Sequence, residues 1–322
     1  MKNIFQFSLL FLTLLSSLLV HAEVRVGYQT GVEPAKVGIV DGAYEKATGE
    51  KISWRRFDNG SELIRAVASG DIDVANVGSS IIAVAASRNL PIETFLVASE
   101  LGTSEALVAR NGSGINSYQD LIGKTIAVPY VSTSHYSLLA ALKHWGIDRS
   151  KVKIINLRVS EIPAAWQRGN IDAAYVWDPA LGKIKTSGKV LTSSEEVASW
   201  GSPTFDVWVA RKDFAEKNPK FLEAFTKTSV DYYVAYKLSK KALLVDQAYL
   251  SKIARITGAQ ESQIADLLQG NQYPLADRQR QLLDSVVIKA ISDTALFLKE
   301  QGKIDKLLPD YRSYSTAKFI EK

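Results

Sequence analysis

The sequence has no cysteine among its 322 residues. That excludes disulfides, thiolate metal sites and a cysteine nucleophile, and it also excludes the acylated cysteine that anchors a lipoprotein. Histidine is nearly as scarce, with three in the chain. One of them, His21, falls in the first 22 residues, which leaves His135 and His144. No His-Glu-x-x-His occurs, so metal chemistry has little to build on and no metal or cofactor is expected. Charge of one sign is never concentrated. The formal excess is +5, without a block of five or six basic residues, so nucleic acid is not an expected partner. The spaced glycines of a phosphate cradle are missing too. Gly123-Lys124-Thr125 resembles the end of a P-loop, but Tyr118 stands where its first glycine belongs, so the segment reads as a turn before a strand. Ser134 and His135 are adjacent, and sequence neighbours seldom align as nucleophile and base.

The only long apolar run lies at the start, from Ile4 to Val20 behind the single cation Lys2, followed by Val20-His21-Ala22. It reads as a secretory signal peptide covering residues 1–22, with cleavage after Ala22. An exported chain without an acylated cysteine is expected to be free protein, and a periplasm between two membranes, as in a Gram-negative cell, is the destination that would retain it. The remaining length exceeds the usual single core and favours two lobes.

Three segments recur in the same order about one hundred positions apart, which predicts two similar α/β lobes. Val24–Tyr28 running into Gln29-Thr30-Gly31 is echoed by Ile126–Pro129 running into Val131-Ser132-Thr133-Ser134. A helix ending at Gly70 and followed by the apolar strand 71–77 is echoed by Gly169 and the strand 171–176. Glu105–Arg110 is echoed by Asp206–Arg211, each a carboxylate heading a buried-looking strand that ends in arginine. Glycine turns leading into short apolar strands fit parallel sheets with helical crossovers. The third pair reads as two strands crossing between lobes. This gives a discontinuous first lobe, residues 23–110 plus 210–322, and a second lobe, residues 111–209. The chain beyond Asp213 reads as helices packed on the first lobe.

In open parallel sheets ligands bind beyond the carboxyl ends of the strands. Two hydroxyl-rich helix starts fall there, at Gly78-Ser79-Ser80 and at Ser132-Thr133-Ser134-His135. Helix N-termini offer unpaired N–H groups and a positive dipole end, which suit a tetrahedral anion, although Ser and Thr before a helix are often only caps. Glu105 and Asp206 would meet on the hinge side of a closed cleft, where paired acids hold an ammonium. A salt bridge to a nearby Lys or Arg is the plainer alternative. Trp177, Tyr175 and Trp208 flank these positions as candidate walls for the site, or as core.

These residues resemble the substrate-binding proteins of taurine, aliphatic sulfonate and nitrate ABC importers. The resemblance rests on Val26-Gly-Tyr-Gln-Thr30 with Glu33-Pro-Ala-Lys36, Ala68-Ser-Gly-Asp71, Val77-Gly-Ser-Ser80, Ile126-Ala-Val-Pro129 and Ser134–Gly146. It continues through Ala165–Gly169, Ala174-Tyr-Val-Trp177 and Asp206-Val-Trp-Val209. It implies an α/β fold of the two-lobed periplasmic binding protein type (type II), each lobe a mixed, mostly parallel sheet flanked by helices, with two crossover strands. It also implies that the protein is no enzyme, takes no cofactor, and as a monomer delivers taurine to a membrane permease driven by a separate ATPase. By the same resemblance the sulfonate is held by Gln29, Ser79, Ser80, Thr133 and His135, the amine by Glu105 and Asp206, and Trp177 shapes the pocket. Three rival expectations remain: a binder of plain alkanesulfonates, an enzyme of thiamine-precursor type, whose family carries a cysteine-rich motif absent here, and a ligand sensor that docks on a receptor.

Overall fold

A computed structural model describes residues 23–321. The expected signal peptide, residues 1–22, lies outside the described residues. Among the described residues no helix is long and apolar enough to cross a membrane.

The strands, in chain order, are β1 (Val24–Tyr28), β2 (Ile52–Arg56), β3 (Val74–Gly78), β4 (Ile92–Glu100), β5 (Glu105–Arg110), β6 (Thr125–Val128), β7 (Lys153–Asn156), β8 (Ala173–Trp177), β9 (Gly188–Ser193) and β10 (Phe205–Arg211). They form two five-stranded sheets, ordered β2-β1-β3-β10-β4 and β7-β6-β8-β5-β9. Each sheet has three parallel strands, then one antiparallel strand, then an outer strand paired antiparallel to it. The two orders superpose place for place, so the hundred-residue echo in the sequence is a repeat of whole sheets.

The third repeated pair corrects the expected boundaries. β5 pairs with β8 and β9 and so belongs to the second sheet, while β10 pairs with β3 and β4 and belongs to the first. Chain order places each strand in the lobe that precedes it, but each lends its backbone to the other. The chain therefore passes between sheets at 101–104 and again at 200–204, not at 110 and 210.

Two-residue periodicity explains why the second sheet is covered on both faces. Along β5 and β8, Leu107, Ala109, Ala173 and Tyr175 enter one apolar cluster while Ala106, Val108, Ala174 and Val176 enter another. Such strands read as unbroken apolar runs because neither face meets water. The first sheet is packed by helices from the C-terminal third, including Phe221, Leu222 and Phe225 of the Pro219–Leu243 helix and Leu282, Leu283, Val287 and Ala290 further on. This agrees with the expectation for that region. Trp208 and Tyr175, considered as possible cleft walls, are core instead. Trp208 sits edge-on to Phe225 at 4.9 Å and is 1% exposed, and Tyr175 is fully buried.

The crossings are strapped by a segment of the C-terminal region. Glu100 and Gln272 exchange two main-chain hydrogen bonds of 2.9 and 3.1 Å, and Leu101 N–H donates to the Thr204 carbonyl at 3.0 Å, which ties one crossing to the other. Asn271 Oδ1 accepts from Gly102 N–H at 3.0 Å and from the Ser104 hydroxyl at 2.6 Å. Gly102 has to be glycine, because a Cβ there would lie 2.2 Å from the Gly270 carbonyl oxygen. Gly102→Ala is expected to cost about 1–3 kcal/mol of unfolding free energy in a urea titration, the range for forced overpacking. An unchanged midpoint would show that strap and crossing do not touch this closely.

Candidate functional site

The two sheets point their carboxyl ends at one another across a small cavity of about 50 Å³, room for roughly three to five water-sized groups. The repeat places its contents. After β1 the loop brings Gln29 and Gly31 to the cavity, and after β6 the matching loop brings Tyr130, Val131 and Ser132. Asp206 lies opposite Gly78, the last residue of β3, and Glu105 lies opposite Trp177, the last residue of β8. The two acids thus occupy equivalent positions in the two lobes.

Of the expected site residues, Gln29, Glu105, Thr133, Trp177 and Asp206 line the cavity. The side chains of Ser79, Ser80 and His135 do not. Ser79 Oγ is turned back to accept from Phe205 N–H at 3.2 Å, Ser80 is buried, and the His135 ring stacks on Tyr130 with centroids 4.8 Å apart. Among hydroxyl side chains at a helix start, only some can face the ligand; the rest turn inward to satisfy local backbone or fill the core. The starts themselves are at the cavity. Gly78, which caps the Ser79–Ser87 helix, and Ser132, which caps the Thr133–His144 helix, both line it. Ser132 Oγ accepts from His135 N–H at 3.1 Å, whereas the Ser79–Ser87 helix has no side-chain cap. Its first N–H groups therefore lack the partner that helix starts normally find in a capping side chain.

Electrostatics set the cavity apart from its surroundings. Glu105 is 2% exposed and accepts from Thr133 Oγ1 at 2.6 Å and Ser194 Oγ at 2.8 Å. Burial pushes its carboxyl up to about 7 in spite of those bonds. Ser194 also contacts the Tyr175 hydroxyl at 3.2 Å, so the core tyrosine supports Glu105 from behind. Asp206 is raised by burial as well, partly offset by the ammonium of Lys36. Among the described residues neither acid forms an ion pair with Lys or Arg, so the salt-bridge alternative is not what the fold displays. Lys36 is 1% exposed and is committed elsewhere, donating to the carbonyls of Gln29 at 2.8 Å and of Gly31. At Gly31 a Cβ would meet Asp206 Oδ2 at 2.8 Å, so any larger residue there would displace the carboxylate. The lobes meet over the cavity through Thr30, whose hydroxyl donates to the Asp178 carbonyl at 2.8 Å and accepts from Trp177 Nε1 at 3.2 Å. Glu62 and Arg158 form an interlobe ion pair at 3.0 Å.

Sequence reasoning missed Asp178 and Asn271, both on the cavity. Asp178 is 3% exposed, with its carboxyl raised to about 6 by burial. It follows β8 as Ser79 follows β3, so the repeat itself carried the signal. Asn271 comes from a region with no local mark of a site and reaches the cavity only through the strap. Among the described residues no cluster of His, Cys, Asp and Glu has metal-ligand geometry.

The carboxyl of Glu105 binds a proton in the folded protein that the unfolded chain releases above its ordinary 4.5. Ligand-free stability should therefore fall as pH rises from about 4.5 to about 7, by up to about 3 kcal/mol. Glu105→Gln cannot titrate and should lose that part of the slope when melting temperature is followed over the same window. Asp178 and Asp206 contribute the same sign in both proteins. Parallel curves for the two proteins would remove Glu105 as the source.

Comparison with known proteins agrees with this architecture. Residues 22–244 match the family described as the substrate binding domain of ABC-type glycine betaine transport system. The chain is 51% identical, over 92% of its own length and 92% of the relative's, to the taurine-binding periplasmic protein of Escherichia coli strain K12. It is 30% identical, over 71% of the chain and 73% of the relative, to a putative aliphatic sulfonates-binding protein of the same strain. Among solved structures, the periplasmic aliphatic sulphonate binding protein SsuA from Escherichia coli is similar with a TM-score of 0.75, at 23% identity, covering 91% of this chain and 92% of that one. That likeness shows the two-lobed type II fold. With the matched sequence and the matched fold together, the chain belongs to the family of substrate-binding domains of ABC-type importers.

Proposed function

We propose that the cleft binds taurine and that the protein, in the periplasm, hands it to a membrane permease powered by a separate ATPase, acting as a monomeric carrier and not as a catalyst. The observation that carries the reading is the pair of carboxylates, buried Glu105 and partly buried Asp206, facing one small cavity that also receives two helix starts. The zwitterion matches both ends. Its ammonium lies between the acids, and its sulfonate lies against the N–H groups that begin the Ser79–Ser87 and Thr133–His144 helices, with Gln29 and Thr133 beside it and Trp177 along the ethylene link. Ser79 and Ser80 act through main-chain N–H groups. The close relative's name supports the ligand, and the signal-like first 22 residues support export.

Size supports a short ligand. At a ceiling of roughly 1.5 kcal/mol per heavy atom, a molecule of taurine's size reaches about 10 kcal/mol, in the tens-of-nanomolar range. A quaternary ammonium such as glycine betaine has no N–H to give, and its usual receptor is an aromatic cage. Here Trp177 and Tyr130 are accompanied by carboxylates that seek donors. A plain alkanesulfonate would leave both acids in the occupied cleft without a counter-charge, a costly state.

Calorimetric titration should therefore show taurine bound at least about tenfold more tightly than ethanesulfonate, and Asp206→Ala and Glu105→Ala should each lose about tenfold or more for taurine. An ethanesulfonate preference would overturn the assignment. Because the ammonium favours ionised Glu105, taurine affinity should also rise with pH through about 7, with proton release visible as a buffer-dependent heat. A pH-independent affinity would take Glu105 away from the amine.

A further inference from the structure

Two non-glycine residues among those described have a positive φ, Asn89 at 54° and Val131 at 62°. Asparagine tolerates that region. A β-branched residue there is a genuine outlier, and it persists only where its surroundings over-determine it. Val131 lines the cavity, in the loop that leads to the Thr133–His144 helix.

The surroundings that hold it centre on His135. Val131 N–H donates to His135 Nδ1 at 3.3 Å. The ring cannot swing away, because one face stacks on Tyr130 at 4.8 Å and 9°, and Phe297 meets it edge-on at 6.4 Å and 80°. Phe297 arrives from the Val287–Glu300 helix, whose Val287, Ala290 and Ile291 belong to the first lobe's core. The other ring nitrogen, Nε2, is buried without a hydrogen-bond partner, so the ring is aimed by stacking and by this one bond. Ser132 completes the loop, its hydroxyl donating to the Pro129 carbonyl at 2.6 Å while accepting from His135 N–H. For Nδ1 to accept, the imidazole must be neutral with its proton on Nε2. Burial, with the cations of Arg149 and Lys303 nearby, holds His135 down at about 4, which keeps it neutral around pH 7.

We propose that His135 is a positioning residue for the ligand's acidic group: its Nδ1 pins Val131 in the left-handed conformation, and this sets the loop 129–133 and the start of the following helix against the cleft. The role rests on the sulfonate reading above, but it differs from the direct ligand contact that the family resemblance implies for this histidine. It also links the lobes, since the first lobe's Phe297 packs the ring that shapes the second lobe's half of the site.

Three variants test it. His135→Asn keeps an acceptor near the place of Nδ1, His135→Phe keeps a ring without one, and Val131→Gly makes the left-handed conformation free of strain. In calorimetry H135F should weaken taurine binding by about tenfold, H135N should stay within about threefold of the starting protein, and V131G added to H135F should recover most of the loss. In the ligand-free protein, hydrogen exchange at the residue 131 amide should be slow, remain slow in H135N and become fast in H135F; H135L takes the place of H135F if the latter does not fold. Undiminished binding by H135F, or equal losses in H135N and H135F without rescue, would overturn the proposal, as would fast exchange at Val131 in the unaltered protein. Failure of the unaltered protein to bind taurine would sink the sulfonate reading instead, while the exchange measurement still decides the role of His135.

Discussion

The structure depends on holding two carboxylates against one cavity without giving either a fixed cation. Glu105 and Asp206 lie at equivalent places in two copies of one sheet; burial is the main cause that raises both, and the charge of Asp206 adds to it at Glu105. Their stabilisation is partial by construction. Hydroxyls from Thr133 and Ser194 bond Glu105, and the buried ammonium of Lys36 nearby is held by two carbonyls of its own loop. Such a site is under-neutralised when empty and becomes balanced only when a positive group arrives from outside.

The exchange of strands between lobes gives this imbalance a mechanical meaning. Asp206 belongs to the first sheet and Glu105 to the second, so a cation placed between them is attracted to both lobes at once. An anionic group between the two helix starts does the same from the other end of the cavity. Closure of the cleft and neutralisation of its charge are thus the same event. A ligand carrying just one of the two charges would leave one set of groups unpaired in a site from which water is largely excluded.

Much of this was legible from the residues. The hundred-position echo revealed both lobes because backbone repeats leave periodic apolar strands and glycine turns at fixed offsets. It also pointed to Glu105 and Asp206, since a carboxylate heading an apolar strand is conspicuous. The assignment of those strands to lobes was not legible, because hydrogen bonding between strands leaves no local trace and chain order suggested the opposite choice. Side-chain direction was hidden for the same reason. Ser79, Ser80 and His135 sit in segments that reach the cleft, yet their side chains serve the core, the backbone and the loop. Asn271 was out of reach altogether, because only tertiary packing of a C-terminal turn brings it there.

The strap across the two crossings carries a last consequence. With Leu101 tied to Thr204 and Glu100 tied to Gln272, the linkers are short and bound to each other, which restricts how one lobe can turn against the other. The finished chamber is then a gauge. A solute is measured for bulk as the jaws come together and not as it enters, so an oversized guest can be admitted and still hold the jaws ajar. A receptor that recognises only the shut outline would pass over such a guest without ever touching it.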